Sequence, residues 1–202
     1  MPKLCLNMIV KNESIVITLI FDSVIDIIDC YCICDTGSTD DTIQLITDYF
    51  LKHGKPGKVI VEPFQNFEHN RTFALQACKD TNNTGGVLAD YVLLMDADMV
   101  LMKGPEFNLD KFKDQLLTAD VFHLFQGSDR FSYKNVRIVK NSLNISYWGV
   151  THEVISTPDG TKYDQIERVV AFINDIGDGG AKADKFTRDI RLLTEGLVEK
   201  PN

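Results

Sequence analysis

The chain has 202 residues, a length that suits one domain with a single sizeable core. Its composition, with 44% hydrophobic and 25% charged residues, excludes a disordered, collagenous or coiled-coil protein. The formal net charge of −8 and the lack of a Lys/Arg cluster argue against nucleic-acid binding, and they favour a bridging cation for any phosphate ligand.

The compartment is predicted from what the sequence lacks. No apolar run approaches the roughly 20 residues of a membrane helix, and the N-terminus does not have the pattern of a signal peptide. The cysteines are odd in number and follow neither a disulfide framework nor zinc-ligand spacing. We therefore predict a cytoplasmic protein with no transmembrane segment and with five structural cysteines: Cys5, Cys30, Cys32, Cys34 and Cys78.

Strand-like and helix-like segments alternate in the first half of the chain. Short apolar runs predict strands, and a 3.6-residue apolar period predicts helices. The predicted strands cover 4–10, 29–35, 58–64 and 89–96, and the predicted helices cover 14–28, the segment after the TGSTDD turn, and 67–79. This order predicts an α/β fold around a central, mostly parallel sheet.

The TGSTDD turn carries a signal for the start of a helix. Ser38 followed by Asp41 has the spacing of a capping box. Ile43, Ile46 and Phe50 then fall on one helical face, which we expect to be buried. The TNNTGG segment at 81–86 predicts a loop before the fourth strand.

The second half of the chain has a different pattern. Residues 109–117 are amphipathic, and the strand-like runs VFHLFQG, NVRIVK, ISYWGVTHEVIS and RVVAFIND follow without long helices between them, which predicts antiparallel strands in a mixed second half. The tail predicts a helix that stops abruptly. We expect one domain over 1–180 and a C-terminal helix over 181–202 that begins a further region of a longer protein.

Polar residues follow three of the predicted strands. Lys11, Asn12 and Glu13 follow the first, Asp35 ends the second, and Asp96 with Asp98 ends the fourth. In open α/β sheets, ligands bind beyond the carboxyl ends of the strands. The sequence therefore predicts a binding site at this edge of the sheet.

Asp96 and Asp98 form a D-x-D pair at the end of the apolar run YVLLM. Residues i and i+2 of a strand point to the same side, so both carboxylates can reach one cation. Mg²⁺ and Mn²⁺ commonly take one or two carboxylates together with substrate phosphates and water. The pattern predicts a metal–diphosphate site, although a solvated turn after a strand has the same spacing.

Four further residues and one tryptophan are candidates for the same site. Asp35 can accept hydrogen bonds from a base or a ribose, or can simply stabilise the turn that follows it. Arg71, near the start of a predicted helix, suits a phosphate or a carboxylate. His152 and Glu153 lie in one predicted strand and would point to opposite sides. Trp148 is either a core residue or a surface on which a sugar stacks.

The motifs taken together resemble glycosyltransferase family 2. They are MIVKNES, CDTGSTDDT, FEHNRTFAL, VLLMDADM and YWGVTHEVI, in that order over residues 4–156. The resemblance implies the GT-A fold, a Rossmann-like nucleotide-binding half joined to an acceptor-binding half. It also implies transfer of a sugar from a nucleotide-diphosphate donor, with Mn²⁺ or Mg²⁺ and with inversion, to a hydroxyl of a glycan, lipid or protein.

The resemblance also implies roles for residues on the donor side. Val10, Lys11 and Glu13 would line the nucleoside pocket. Asp35 would hold the base or ribose, and Arg71 would lie near the donor. The sequence leaves uridine, guanosine and thymidine open as the nucleoside, and uridine is the first expectation.

The remaining roles concern the metal and the acceptor. Asp96 would lie near the ribose and the metal, Asp98 would be the principal metal ligand, and His152 would be a further ligand. Glu153 is the expected general base for the acceptor hydroxyl. The cation and Arg71 would stabilise the charge that develops on the leaving diphosphate.

Three positions depart from the family pattern. Thr72 replaces an Asn, and Met99 replaces a Glu after the D-x-D pair. Asn174-Asp175-Ile176-Gly177 replaces a His-Tyr-Gly motif. If that histidine is a metal ligand in relatives, Asp175, Asp178 or His152 would substitute for it here.

Three other functions fit parts of the sequence. A haloacid dehalogenase-like phosphatase would use Asp96 as its nucleophile, but its D-x-D usually lies close to the N-terminus. A non-catalytic nucleotide-sugar-binding module would share the fold, but the acidic set is intact. A nucleotidyltransferase would need a glycine-rich basic loop where this chain has KNESIV.

Overall fold

A computed structural model describes residues 1–79, 89–128, 131–177 and 185–199. The strands are β1 Leu4–Val10, β2 Cys30–Asp35, β3 Gly57–Val61, β4 Tyr91–Leu94, β5 Met99–Lys103, β6 Val121–Gly127, β7 Ser132–Lys140, β8 Ser146–Trp148, β9 Val154–Ser156, β10 Tyr163–Ile166 and β11 Ala171–Asp175. The helices are α1 Ile17–Val24, α2 Thr42–Lys52, α3 Phe67–Ala77, α4 Leu109–Gln115 with a 3₁₀ turn at Leu116–Thr118, and α5 Lys185–Glu199.

One nine-stranded sheet organises the described residues. Its order is β3-β2-β1-β4-β7-β6-β11-β5, and β10 pairs with β6 outside this path. Strands β1 to β4 are mutually parallel, whereas β7 and β5 run antiparallel to their neighbours. The α/β fold with a mixed, largely parallel sheet is therefore confirmed.

The two faces of β1 contribute to two separate hydrophobic cores, as expected for a central strand. Leu4, Leu6 and Met8 pack with α1 and α2 on one face. Cys5 packs with residues of α3 on the other face, alongside the small side chain of Cys32. Because helices cover both faces, the central strands are continuous apolar runs.

The helix after the TGSTDD turn starts differently from the prediction. The Ser38 hydroxyl accepts a hydrogen bond from the Asn12 amide, so the capping box is wrong. Asp40 instead accepts from the amide and hydroxyl of Thr42. Ile46 and Phe50 are fully buried as predicted, but Ile43 is exposed.

Two strands of the second half were not predicted. Strand β5 starts directly after Asp98 and pairs with β11, and β10 extends the edge of β6. Both are short and flank turns, so they lack a clear apolar alternation. The predicted antiparallel pairing is confirmed for β6 with β7 and for β8 with β9.

Helix α5 is the predicted C-terminal helix, and it packs against the rest of the chain. Leu192 is 2% exposed, and Gly196 lies against the side chain of Val150. The start of a further region near 181 stays a prediction. None of the helices in the described ranges is long and apolar enough to span a bilayer. The loop predicted at 81–86 lies outside the described residues.

Candidate functional site

Asp35 ends β2 beside the last residue of β1, because Val10 and Asp35 are in register. The side chain is 1% exposed. Its Oδ1 accepts hydrogen bonds of 2.9 Å from the amides of Gly37 and Ser38, in a turn where Gly37 has a φ of +113°. Its Oδ2 is buried and has no hydrogen-bond partner. A buried carboxylate oxygen without a donor is costly, and a ligand N–H or O–H would satisfy it.

The loop after β1 is held against the loop after β2. Asn12 has a left-handed φ of +56°, and its Oδ1 accepts from the amide of Thr39. The backbone amide of Glu13 donates to the hydroxyl of Thr42. Glu13 is buried, whereas Lys11 is exposed. The predicted nucleoside-pocket residues therefore lie on two connected loops at the carboxyl edge of the sheet.

Asp96 follows β4 at the same edge and lies between two arginines. Its Oδ1 is 2.6 Å from Nη2 of Arg71, and its Oδ2 is 3.6 Å from Nη1 of Arg137. Burial acts to raise the pKa of Asp96, but the charges of Arg71 and Arg137 outweigh it and hold this pKa below its usual value. Asp96 is therefore a carboxylate at neutral pH.

Arg71 connects Asp96 to Glu153. Its Nε lies 2.5 Å from Oε1 of Glu153, a contact that is an ion pair without a well-aligned hydrogen bond. The rings of Phe67 and Tyr147 each have their centroid 5.9 Å from the guanidinium carbon. Burial acts to lower the pKa of Arg71, but the two carboxylates outweigh it and raise this pKa.

The β8–β9 hairpin brings Glu153 to the site because it packs on α3. The amide of Tyr147 donates to the hydroxyl of Thr72, and the amide of Gly149 donates to Glu68. Burial raises the pKa of Tyr147 to about 12, so its phenol stays protonated beside Arg71.

His152 and Glu153 are not in a strand, which corrects the prediction. They lie in the bend before β9, where His152 has a φ of +52° and is exposed while Glu153 is half-buried. Because of this bend, the side chain of His152 is in solvent while that of Glu153 lies against Arg71. Trp148 is 63% exposed and is not a core residue.

Asp98 lies half-buried in the turn between β4 and β5. Its carbonyl accepts from the amide of Ile176, which places the end of β11 beside the D-x-D pair. Asp175 is opposite Met99 in the β5–β11 ladder, and Asp178 lies outside the described residues. Within the described ranges, no three His, Cys, Asp or Glu side chains form a group that could by itself hold a metal.

Two residues of this site were missed in the sequence. Arg137 and Gln126 are buried polar residues in β7 and β6, and Gln126 Oε1 accepts from Nε of Arg137 at 2.9 Å. A charged residue inside the apolar run NVRIVK was the available signal, because a buried arginine needs a specific partner.

A family model and a curated relative match this chain. The model described as Glycosyl transferase family 2 matches residues 5–142, which is more than half of the chain. An uncharacterized glycosyltransferase of Rickettsia felis (strain ATCC VR-1525 / URRWXCal2) is 31% identical over 103 residues. That match covers 51% of this chain and only 31% of the relative's length.

A solved structure shares the fold, and a second one aligns with part of the chain. Staphylococcus aureus TarS 1-349 in complex with UDP aligns over 99% of this chain and 67% of its own, with a TM-score of 0.60 and 13% identity. Glucosyl-3-phosphoglycerate synthase from Mycobacterium tuberculosis, solved with Mn²⁺ and UDP-glucose, aligns over 62% of this chain and 44% of its own, with a TM-score of 0.40 and 18% identity. The family model covers each polar edge segment from β1 to the D-x-D pair. The chain belongs to glycosyl transferase family 2.

Proposed function

We propose that this chain transfers a sugar from a nucleotide-diphosphate donor to an acceptor hydroxyl, with inversion. The observation that carries the proposal is the chain of charges at the carboxyl edge of the sheet. Arg71 is within 2.6 Å of both Asp96 and Glu153, so a donor-side carboxylate and a candidate base meet at one cation. Such a pairing of charges at the carboxyl edge of the sheet suits group transfer from a diphosphate.

The nucleoside would bind at the loops after β1 and β2. The unpartnered Oδ2 of Asp35 is an acceptor for a base N–H or a ribose hydroxyl. Val10, Lys11 and Glu13 line the same edge beside it. Uridine is the nucleoside that we propose first, and TarS, which shares the fold, was solved with UDP.

A divalent cation, Mn²⁺ or Mg²⁺, would bind at Asp98. Such ions need only one or two protein carboxylates when phosphates and water complete their ligands, so the residues present fit. Asp96 lies next to this position but is paired with two arginines. His152 is exposed on the hairpin and would be a further ligand. When bound, the cation would neutralise charge on the leaving diphosphate.

Glu153 is the proposed general base, and Arg71 positions it. The contact between Nε of Arg71 and Oε1 of Glu153 holds the carboxyl group at the carboxyl edge of the sheet, where it could accept the proton of an acceptor hydroxyl. The inverting reaction needs no covalent intermediate. The acceptor would be a hydroxyl of a glycan, a lipid or a protein.

The phosphatase alternative is less consistent with the geometry. A nucleophilic Asp96 would need an accessible oxygen, yet each of its oxygens faces a guanidinium. A binding module on the same fold would keep Asp35 but would not need Glu153.

A thermal-shift screen tests the proposal. UDP-, GDP-, dTDP- and CMP-sugars would each be added with Mn²⁺, with Mg²⁺ and with EDTA. A ligand at 100 times its Kd adds about 2.7 kcal/mol, a shift of several degrees. We expect a metal-dependent shift with UDP-sugars that is lost in Asp98→Asn and kept in Asp159→Asn, a change at an exposed turn. No shift with any nucleotide, together with phosphatase activity that needs Asp96, would contradict it.

A further inference from the structure

Arg137 is the extra residue of a β-bulge. In the β6–β7 ladder, Phe122 pairs with Ile138 and His123 pairs with Val136, so Arg137 has no partner on β6. Bulges change the direction of a side chain and are frequent beside active sites. The bulge here lies in the strand next to β4, which leads into Asp96.

Hydrogen bonds fix the direction of the Arg137 side chain. Its Nε and Nη2 both donate to Oε1 of Gln126, at 2.9 and 2.5 Å. Its Nη1 donates to the carbonyl of Leu94, the last residue of β4, at 3.2 Å. Arg137 is 6% exposed and Gln126 is 2% exposed, so this arrangement is shielded from water. A planar guanidinium with these partners has little rotational freedom.

The fixed guanidinium faces the oxygen of Asp96 that Arg71 does not hold. Nη1 of Arg137 lies 3.6 Å from Oδ2, and Arg71 lies 2.6 Å from Oδ1. The two cations come from different elements, β7 and α3, and they contact different oxygens of the carboxylate. A carboxylate contacted at both oxygens cannot rotate about its Cβ–Cγ bond without losing one of them.

We infer that Arg137 is a positioning residue that fixes the orientation of the Asp96 carboxylate for the nucleotide-diphosphate donor. This inference rests on the proposed function of the site. Arg137 acts through Asp96, and the bulge together with Gln126 determines where its charge lies.

Three variants separate positioning from stability. Arg137→Met removes the charge while keeping most of the side-chain length. Arg137→Lys keeps the charge but cannot contact Gln126, Leu94 and Asp96 at once. Arg191→Met makes the same chemical change at an exposed arginine of α5 and is the matched control.

Two measurements are made on each folded variant. The first is the ¹³C resonance of the Asp96 carboxyl in the free protein with EDTA, assigned by its loss in Asp96→Asn. The second is the donor KM and kcat with a UDP-sugar and Mn²⁺. We expect Arg137→Met to shift the resonance and to raise KM about tenfold with much less change in kcat, because one contact of a charged group is lost. For Arg137→Lys, both the resonance of Asp96 and the donor KM should lie between the values for Arg137→Met and for the wild type.

The outcomes distinguish the two proposals. A variant with lower thermal stability but an unchanged resonance and an unchanged KM would overturn the positioning role. If Arg137→Met does not fold, the Asp96 resonance and the donor KM are compared between Arg137→Lys and the wild type, and this comparison tests the positioning role. If the wild type binds no nucleotide sugar, the proposed function fails, and the carboxyl resonance alone still decides whether Arg137 positions Asp96.

Discussion

Nε of Arg71 lies 2.5 Å from Oε1 of Glu153, and the same guanidinium holds Asp96 at 2.6 Å. Both carboxylates are largely shielded, with 14% and 24% of their side chains exposed. Replacing Arg71 would leave Glu153 without this cation and Asp96 with only the more distant guanidinium of Arg137, which costs more than losing a surface ion pair.

We expect Arg71→Met to lower the free energy of unfolding by about 3–5 kcal/mol, measured by urea denaturation at pH 7. Adding Glu153→Gln should recover part of the loss, because one uncompensated charge is then removed. Arg191→Met, at an exposed i,i+4 pair, should change stability by less than about 0.5 kcal/mol. An Arg71→Met protein as stable as the wild type would contradict this reading of the site.

The substitution Asp35→Asn tests the role of Oδ2 of Asp35, the oxygen that has no hydrogen-bond partner. An asparagine keeps one oxygen for the amides of Gly37 and Ser38, and it places an NH₂ where Oδ2 has no partner. We expect stability to change by less than about 1 kcal/mol, while affinity for UDP falls at least about tenfold because an acceptor becomes a donor. Calorimetric titration with UDP measures this. Equal affinity would place the nucleoside elsewhere.

Asn70, which directly precedes Arg71 in α3, links this helix to the loop before it. It is fully buried, accepts from the amide of Gln65, and donates to the carbonyls of Glu62 and Pro63. We expect Asn70→Ala to cost about 2–3 kcal/mol, since three backbone groups lose a partner. Gln44→Ala, on the exposed side of α2, should cost less than about 0.5 kcal/mol. Thermal or urea unfolding measures both variants.

Substitutions of Asp29 and of Lys113 should change the free energy of unfolding by different amounts. Lys113 is 5% exposed and donates to Asp29, which is 41% exposed and also accepts from the amide of Leu4. Asp29→Asn leaves a buried ammonium and should cost about 1–2 kcal/mol at pH 7, less than for a fully buried pair. Lys113→Met removes that charge and should stay within about 1 kcal/mol of the wild type.

The same pair gives a pH dependence with a definite sign. Burial acts to raise the pKa of Asp29, but the bonds from Lys113 and Leu4 outweigh it and lower this pKa. Its contribution is therefore present above the unfolded pKa of about 3.9 and is lost as pH falls through the folded value. The difference in the free energy of unfolding between wild type and Asp29→Asn, measured with urea, should begin to shrink below about pH 4 and should vanish only below the folded pKa of Asp29. A difference that grows on acidification would refute the assignment.

The alternating half of the chain was readable from its pattern. The runs LCLNMIV and CYCICD are buried on both faces, and only a central strand in an α/β sheet needs that. The placement of Asp35 and Asp96 at one edge followed from strand direction alone. The pairing of Asp96 with Arg71 and Arg137 did not follow from the sequence, because the two arginines reach Asp96 from elements that are distant in sequence.

Local backbone conformation explains the remaining differences. Ser38 does not cap α2, because its hydroxyl accepts a hydrogen bond from the amide of Asn12 and the helix begins only at Thr42. The bend at His152 depends on a left-handed φ, which is uncommon for any residue other than glycine, so a strand was the natural expectation from WGVTHEVI. The bulge at Arg137 has no sequence signal, since register is a property of two strands together.

The five cysteines have a practical consequence. All are free thiols and all are buried: Cys5 lies in β1, Cys30, Cys32 and Cys34 lie in β2, and Cys78 directly follows α3. A thiol reagent can therefore react only when that part of the chain opens. The rate of labelling by a small disulfide reagent reports local unfolding around β1, β2 and the end of α3, with no engineered probe. A single cysteine introduced at an exposed position would then carry a dye or spin label against a silent background.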